Sequence, residues 1–394
     1  MRYNRLGKSD LETSILGFGC MRLPLREEAE NMKSFFERSM AVDEEKALEM
    51  IDYAIGQGIN YFDSAYLYHG GKSELVLGKA IKDRREKVVV TTKSPLMMIE
   101  KTEDFDRILN EQLKKLGTDY LDFYLLHGLN RKTWQKGKDL GVLAFLDDIR
   151  RDGRTRHVGF SFHDDVHVFK EIIGAYDWAV CQVQHNLFDE NYQAGKDGIR
   201  YAAARGIGVI IMEPLRGGRL TDRIPGEIQH IWDSAAQKRT PAEWGLRWVW
   251  NNPDVSLVLS GMSNMEQLKE NIHIAEKALP DSLSSEEIET IQKVAETYRR
   301  LLKVSCTGCA YCMPCPNEVN IPGIFSLFND YHMFQDLELC RTMYNVLMGP
   351  EQKASNCQEC GECEEKCPQQ LEIIETLKEA HALLYQEGLS RRGT

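Results

Sequence analysis

Eight of the eleven cysteines gather in two short runs near the C-terminus. The first is Cys306, Cys309, Cys312 and Cys315, followed by Pro316, and the second is Cys357, Cys360, Cys363 and Cys367, followed by Pro368. The second run reads CxxCxxCxxxCP and the first is one residue shorter, CxxCxxCxxCP. Three thiolates so closely spaced can surround one face of an iron–sulfur cube, while the cysteine before the proline points away from it. Two other chemistries use grouped cysteines. Tetrahedral zinc takes its thiolates from two separated CxxC pairs rather than from a triplet plus a fourth, and disulfides need an oxidising compartment of which this chain carries no sign. The spacing favours iron–sulfur clusters. Cys20, Cys181 and Cys340 stand singly in apolar surroundings and read as small buried hydrophobes.

A second group suits proton chemistry. Asp63 closes the run INYFD, Tyr68 follows it in YLYHG, Lys93 closes KVVVTTK and His127 closes LDFYLLH. A lysine at the end of an apolar strand is costly to bury alone and needs an anion, which Asp63 can supply. The paired ammonium is expected to lower the pKa of Tyr68 and make its phenol a proton donor near neutral pH, with His127 orienting the same carbonyl oxygen. Any one of the four would pass as structural. All four at neighbouring strand ends point to a site.

Parallel strands must bring those ends together. Between residues 15 and 275, short β-rich apolar runs alternate with longer stretches of helical period. The runs are SILGFGC, INYFD, KVVVTTK, LDFYLLH, RHVGFS, WAVCQVQ, GIGVIIMEP and VSLVLSG, with helical segments around 44–57, 73–82, 102–116, 140–151, 165–174, 192–205, 241–251 and 264–277. Eight such units in about 260 residues predict an α/β protein, a closed (β/α)8 TIM barrel whose strand ends at the C-terminal face carry the chemistry. RYNRLGKSDLETS predicts a hairpin under the barrel. A helix opened by Ser284, Ser285 and Glu286 leads out of it, and the boundary falls near Leu302, giving a barrel over 1–302 and a small helical domain over 303–394. In that domain a helical segment of about 324–348 separates the cysteine runs, and QLEIIETLKEAHALLYQ is another amphipathic helix. The insertion LREEAENMKSFFERSMAVD carries Phe35 and Phe36, which would line a lid or belong to a small packed helix.

Over about residues 1–280 these motifs resemble the aldo-keto reductase superfamily. Its Asp, Tyr, Lys, His tetrad maps onto Asp63, Tyr68, Lys93 and His127, including the five-residue step from Asp to Tyr. The resemblance implies hydride delivery from a nicotinamide to a carbonyl carbon while Tyr68 protonates the oxygen, with Ser161 and Gln182 holding the carboxamide. It also implies phosphate contacts from the loop Leu215, Arg216, Gly217 and from Gly261, Ser263, Gln267 and Asn271, where glycine lets backbone approach and a helix N-terminus attracts anions. Phe162 stands where an asparagine usually follows the serine, and Met212 where a tyrosine often stacks on nicotinamide. Gly261 and Gln267 occupy places where many relatives put Lys and Arg against the 2′-phosphate, so the implied cofactor is NADP or NAD; Arg216 is either a phosphate contact or a solvated surface arginine. From about 303 to 385 the chain resembles the α-helical ferredoxin domain appended to some reductases of that superfamily, and its second run is the bacterial ferredoxin pattern. By analogy with two-cluster ferredoxins, Cys306, Cys309, Cys312 and Cys367 would hold one [4Fe-4S] cluster, and Cys357, Cys360, Cys363 and Cys315 the second.

Composition fits such a protein. A net charge of −11 argues against a nucleic-acid partner. From Lys303 onward seven Lys and Arg face thirteen Asp and Glu, a surface suited to a basic partner or merely solvated. The N-terminus lacks an apolar signal core and no run is long enough to span a membrane, so the cytoplasm is expected. Hydride moves two electrons and each cluster moves one, and no flavin motif is evident to bridge them. Three functions follow: a carbonyl reductase or alcohol dehydrogenase acting on a small molecule, with clusters that are structural or dock a partner; a reductase fed through its clusters by a ferredoxin or flavoprotein; or a redox-sensing module without carbonyl turnover.

Overall fold

The computed structural model describes residues 1–26, 40–222, 224–306, 308, 311–367 and 369–389. All eight apolar runs are strands. After the antiparallel hairpin of β1 (Tyr3–Arg5) and β2 (Glu12–Ser14), the strands are β3 (Leu16–Gly19), β4 (Tyr61–Asp63), β5 (Val89–Ser94), β6 (Leu121–Leu129), β7 (Thr155–Phe162), β8 (Val180–Gln184), β9 (Gly208–Met212) and β10 (Leu257–Ser260). They close in sequence order into a parallel barrel, with β10 pairing back onto β3. This is the predicted TIM barrel. The insertion's aromatic pair, Phe35 and Phe36, lies outside the described residues.

Alternation along each strand divides its side chains between two cores. One parity faces the helices, as with Phe62, Val90, Tyr124, Phe160, Val209 and Val258. The other fills the barrel with Tyr61, Val89, Phe123, Leu125, Val180, Ile210, Leu257 and Leu259, joined by Leu6 from the hairpin turn. Continuing the inner parity toward the C-terminal ends gives Asp63, Lys93, His127, Gln182, Met212 and Gly261. Period two thus delivers the candidate residues to one mouth. Side chains cap the surrounding helices: Asp43 accepts from Lys46 N–H, Thr240 from Glu243 N–H and Asn264 from Gln267 N–H. The helix Arg131–Asp139 was not expected, although Asn130 and Thr133 spell its capping box.

The chain forms two compact units, Met1–Leu220 with Arg239–Ser285, and Thr221–Lys238 with the residues from Glu286 onward. The helix Ser285–Arg300 lies before Leu302, yet it packs within the second unit, with Tyr298 5.9 Å from the ring of Phe334 and Arg300 3.1 Å from Glu227. That unit is helical, as the sequence implied. Ile321–Phe334 and Ile373–Leu384 enclose a core of Ile324, Phe325, Phe328, Tyr344, Leu377 and Leu384 that also takes in Cys363. Among the described residues no helix is long and apolar enough to cross a membrane.

Candidate functional site

Lys93 is the centre of the barrel mouth. Its side chain is 1% exposed, and its Nζ donates to Asp63 Oδ1 at 2.5 Å, to the Ser64 carbonyl at 2.8 Å and to Tyr68 Oη at 3.3 Å. An ammonium has three protons, and each has an acceptor. Because Lys93 donates to the phenol oxygen, Tyr68 keeps its own proton to give elsewhere. His127 meets the Tyr68 ring edge-on, with centroids 5.8 Å apart.

Behind β5 a buried network fixes the lysine's strand. Gln112 Nε2 donates to the Lys93 carbonyl at 3.1 Å and to Glu74 Oε1 at 2.7 Å, Thr92 Oγ1 donates to the same carboxylate at 2.6 Å, and Tyr124 Oη donates to Gln112 Oε1 at 2.9 Å. The Tyr68 loop is tied to its neighbour as well, since His69 Nε2 accepts the N–H of Leu23 at 3.1 Å.

Burial works against the Lys93 ammonium, but Asp63 and Tyr68 outweigh it and hold the group above its ordinary value. Burial likewise raises Asp63. The Tyr68 phenol departs from expectation. Lys93 does pull it down, but burial outweighs that attraction and the net displacement is upward. Burial, followed by the charge of Lys93, pushes His127 down to about 3, so its imidazole is neutral at physiological pH.

Ser161 and Gln182 are register partners on β7 and β8 and both are buried. Ser161 Oγ accepts from Gly128 N–H at 2.8 Å, and Gln182 Oε1 has no hydrogen-bond partner. A buried acceptor left open beside a hydroxyl fits a primary amide such as a nicotinamide carboxamide.

The phosphate positions are less uniform. Asn271 is buried and donates to Ser260 Oγ at 2.9 Å, and Gln267 Oε1 accepts from the backbone N–H of Ser263 at 2.9 Å, so both are engaged at the start of the helix Met265–Lys277. Arg216 is no solvated surface arginine. Its side chain is 10% exposed and paired at 3.2 Å with Asp189, which also accepts from Gln184 and Asn186. Leu215 and Gly217 lie in the same loop, where Glu213, Arg216, Gly217 and Gly218 all have positive φ.

Two residues were passed over in the sequence. His163, just beyond β7, lies close enough to His127 that its charge would disfavour protonation there. Arg22, after β3, lies against Gly217 and Gly261. The signal for Arg22 was a cation beside a strand end; nothing local indicated which loops it would meet.

In the second unit, Cys312, Cys315, Cys357, Cys360 and Cys363 line one pocket, walled by Pro316, Val319, Ile321, Ile374 and Leu377. Positive φ at Glu359 and Gly361 curls the chain between its cysteines, and the Glu359 N–H donates to Cys357 Sγ at 3.4 Å. Cys306 and Cys367 pack against the adjoining core, while Cys309 lies outside the described residues. Among the described residues no three His, Cys, Asp or Glu side chains converge as they would on a single ion. Cys20, Cys181 and Cys340 are fully buried, as expected of small hydrophobes.

A closed parallel barrel with this mouth, joined to a cysteine-rich helical unit, defines an iron–sulfur oxidoreductase of the TIM-barrel class. The chain belongs to the aldo/keto reductase family, whose model matches residues 16–296, and residues 305–372 match a 4Fe-4S dicluster domain. It is similar to an uncharacterized oxidoreductase, YqkF, of Bacillus subtilis (strain 168), 28% identical over 321 residues that cover 74% of this chain and 96% of that one. It is also similar to an NADH-specific methylglyoxal reductase of Escherichia coli (strain K12), 25% identical over 307 residues covering 66% and 90%. Among solved structures, the holo form of the aldo-keto reductase AKR11C1 from Bacillus halodurans superposes with a TM-score of 0.62 at 28% identity, covering 75% of this chain and 96% of that one.

Proposed function

We propose that the barrel reduces a small carbonyl compound, or oxidises the corresponding alcohol, with NADH or NADPH, using Tyr68 as general acid and base. The observation that carries this reading is the full set of acceptors around Lys93, in which the Tyr68 oxygen accepts and its own proton stays available to give. A nicotinamide bound in the mouth would supply or accept the hydride. Asp63 keeps Lys93 charged, Lys93 holds the phenol oxygen and steadies negative charge there, and neutral His127 donates a hydrogen bond to the carbonyl oxygen without competing for its proton. Ser161 and Gln182 would hold the carboxamide, and the loops carrying Leu215 to Gly217 and Gly261 to Asn271 would receive the phosphates.

The raised Tyr68 pKa sets the expected pH dependence. Reduction needs the protonated phenol, so it stays level through neutral pH and declines only above the ordinary tyrosine value of about 10. Alcohol oxidation needs the phenolate and therefore rises with pH across the alkaline range. Rates for both directions on aldehydes and ketones, including 2-oxoaldehydes of the kind named for the Escherichia coli relative, check this. Absence of turnover with both nicotinamides across that panel would sink the reading.

For the second unit we assign Cys315, Cys357, Cys360 and Cys363 to one [4Fe-4S] cluster and Cys306, Cys309, Cys312 and Cys367 to another. The pocket fits the first set, because four of its five cysteines are those four. One observation favours a relay of electrons to an external carrier: Cys360, which lines the pocket, is exposed. If hydride electrons reach the clusters, NADH added anaerobically bleaches the absorption near roughly 400 nm. A spectrum that NADH and NADPH leave unchanged removes the relay and leaves the carbonyl reductase standing.

A further inference from the structure

We propose that Arg22 binds the diphosphate of the dinucleotide, and that Gly261 keeps the strand end bare so that the arginine can lie across it. The inference rests on the nicotinamide reading above and adds a residue to it. Arg22 follows β3, and its backbone is pinned on both sides: Ser73 Oγ donates to the Cys20 carbonyl at 3.1 Å, and Leu23 N–H donates to His69 at 3.1 Å. A Cβ placed on Gly261 would stand 3.0–3.1 Å from Cβ, Cγ and Cδ of Arg22, and one on Gly217 would stand 2.6 Å from its Nη2. The aliphatic stem therefore crosses the end of β10, and the guanidinium rests over the glycine loop after β9. One side chain spans three adjacent strand ends.

Charge makes this placement informative. Gly261 and Gln267 bring no cation to the phosphate region, and Arg216 is held by Asp189. Lys269, on the helix after β10, lies over the ring of Tyr53 at 5.5 Å. Arg22 is exposed, and a planar fork of N–H donors suits two phosphate oxygens. Its tip lies over the glycine loop rather than over the helix Met265–Lys277, which points to the bridge shared by NAD and NADP rather than to the 2′-phosphate.

Fluorescence titration of the full-length, cluster-containing protein with NADH and with NADPH tests this. Arg22→Met is expected to raise both dissociation constants roughly ten- to a hundred-fold, with an unchanged melting curve, and Arg22→Lys to recover part of the loss. Gly261→Ala pushes the stem aside, so it weakens binding in the wild type and costs less in an Arg22→Ala background, where no stem lies over the strand end. Dissociation constants within two-fold of wild type for Arg22→Met overturn the assignment, as does a loss confined to NADPH. An equal cost of Gly261→Ala in both backgrounds overturns the role given to the glycine. Wild-type protein that binds neither dinucleotide instead overturns the nicotinamide reading, and this inference falls with it.

Discussion

Phenylalanine at position 68 is expected to cut carbonyl turnover by roughly a thousand-fold, the scale of a general acid removed from the transition state, while dinucleotide affinity and melting temperature stay near wild type. The substitution takes away one oxygen and leaves the ring edge-on to His127. Lys93 loses its longest hydrogen bond, 3.3 Å, and keeps Asp63 and the Ser64 carbonyl, so no charge is stranded. The fall should therefore appear in kcat rather than in KM, and the residual rate should lose the alkaline decline assigned to the phenol. Lys93→Met removes more activity but tests less. It leaves the Asp63 carboxylate buried without its partner, at a cost of about 3–5 kcal/mol, so lost turnover would be confounded with a damaged mouth. Full activity in Tyr68→Phe would mean that the proton comes from elsewhere and that the tetrad is structural.

The barrel was legible because its information is periodic. Apolar residues two apart along INYFD, KVVVTTK and LDFYLLH specify both the inner core and the polar residues that continue it, so strand assignment and site assignment are one inference. What stayed hidden depends on contacts between loops distant in sequence. That Arg216 meets Asp189 and that Arg22 lies across Gly261 follow from how the strands close into the barrel, which no local pattern encodes. The sign of the Tyr68 displacement was missed for a related reason. A sequence shows which charge is near the phenol and not how deeply the phenol is buried, and here burial is the larger effect. The helix Ser285–Arg300 was read correctly as a helix, but its packing partner, Phe334, lies too far along the chain for the boundary to be seen.

Alanine at Cys315 is expected to remove one cluster and spare the other, lowering iron from about eight atoms per chain to about four and roughly halving the absorption near 400 nm. The prediction is sharp because Cys315 belongs in sequence to the first cysteine run, whereas in space it shares a pocket with Cys357, Cys360 and Cys363. A single variant cannot identify which cluster is lost, but a pair can. Ligands of one cluster are redundant targets, so Cys315→Ala combined with Cys360→Ala should lose no more iron than either alone, whereas Cys315→Ala combined with Cys306→Ala should lose both clusters. Iron and sulfide analysis of anaerobically purified protein reads the difference directly. The opposite pattern, in which the pair with Cys360 strips all iron and the pair with Cys306 strips half, would place Cys315 on the cluster of its own run. Cys312 lines the same pocket, so its variant supplies the control: assigned to the first cluster, Cys312→Ala should add to Cys360→Ala where Cys315→Ala does not.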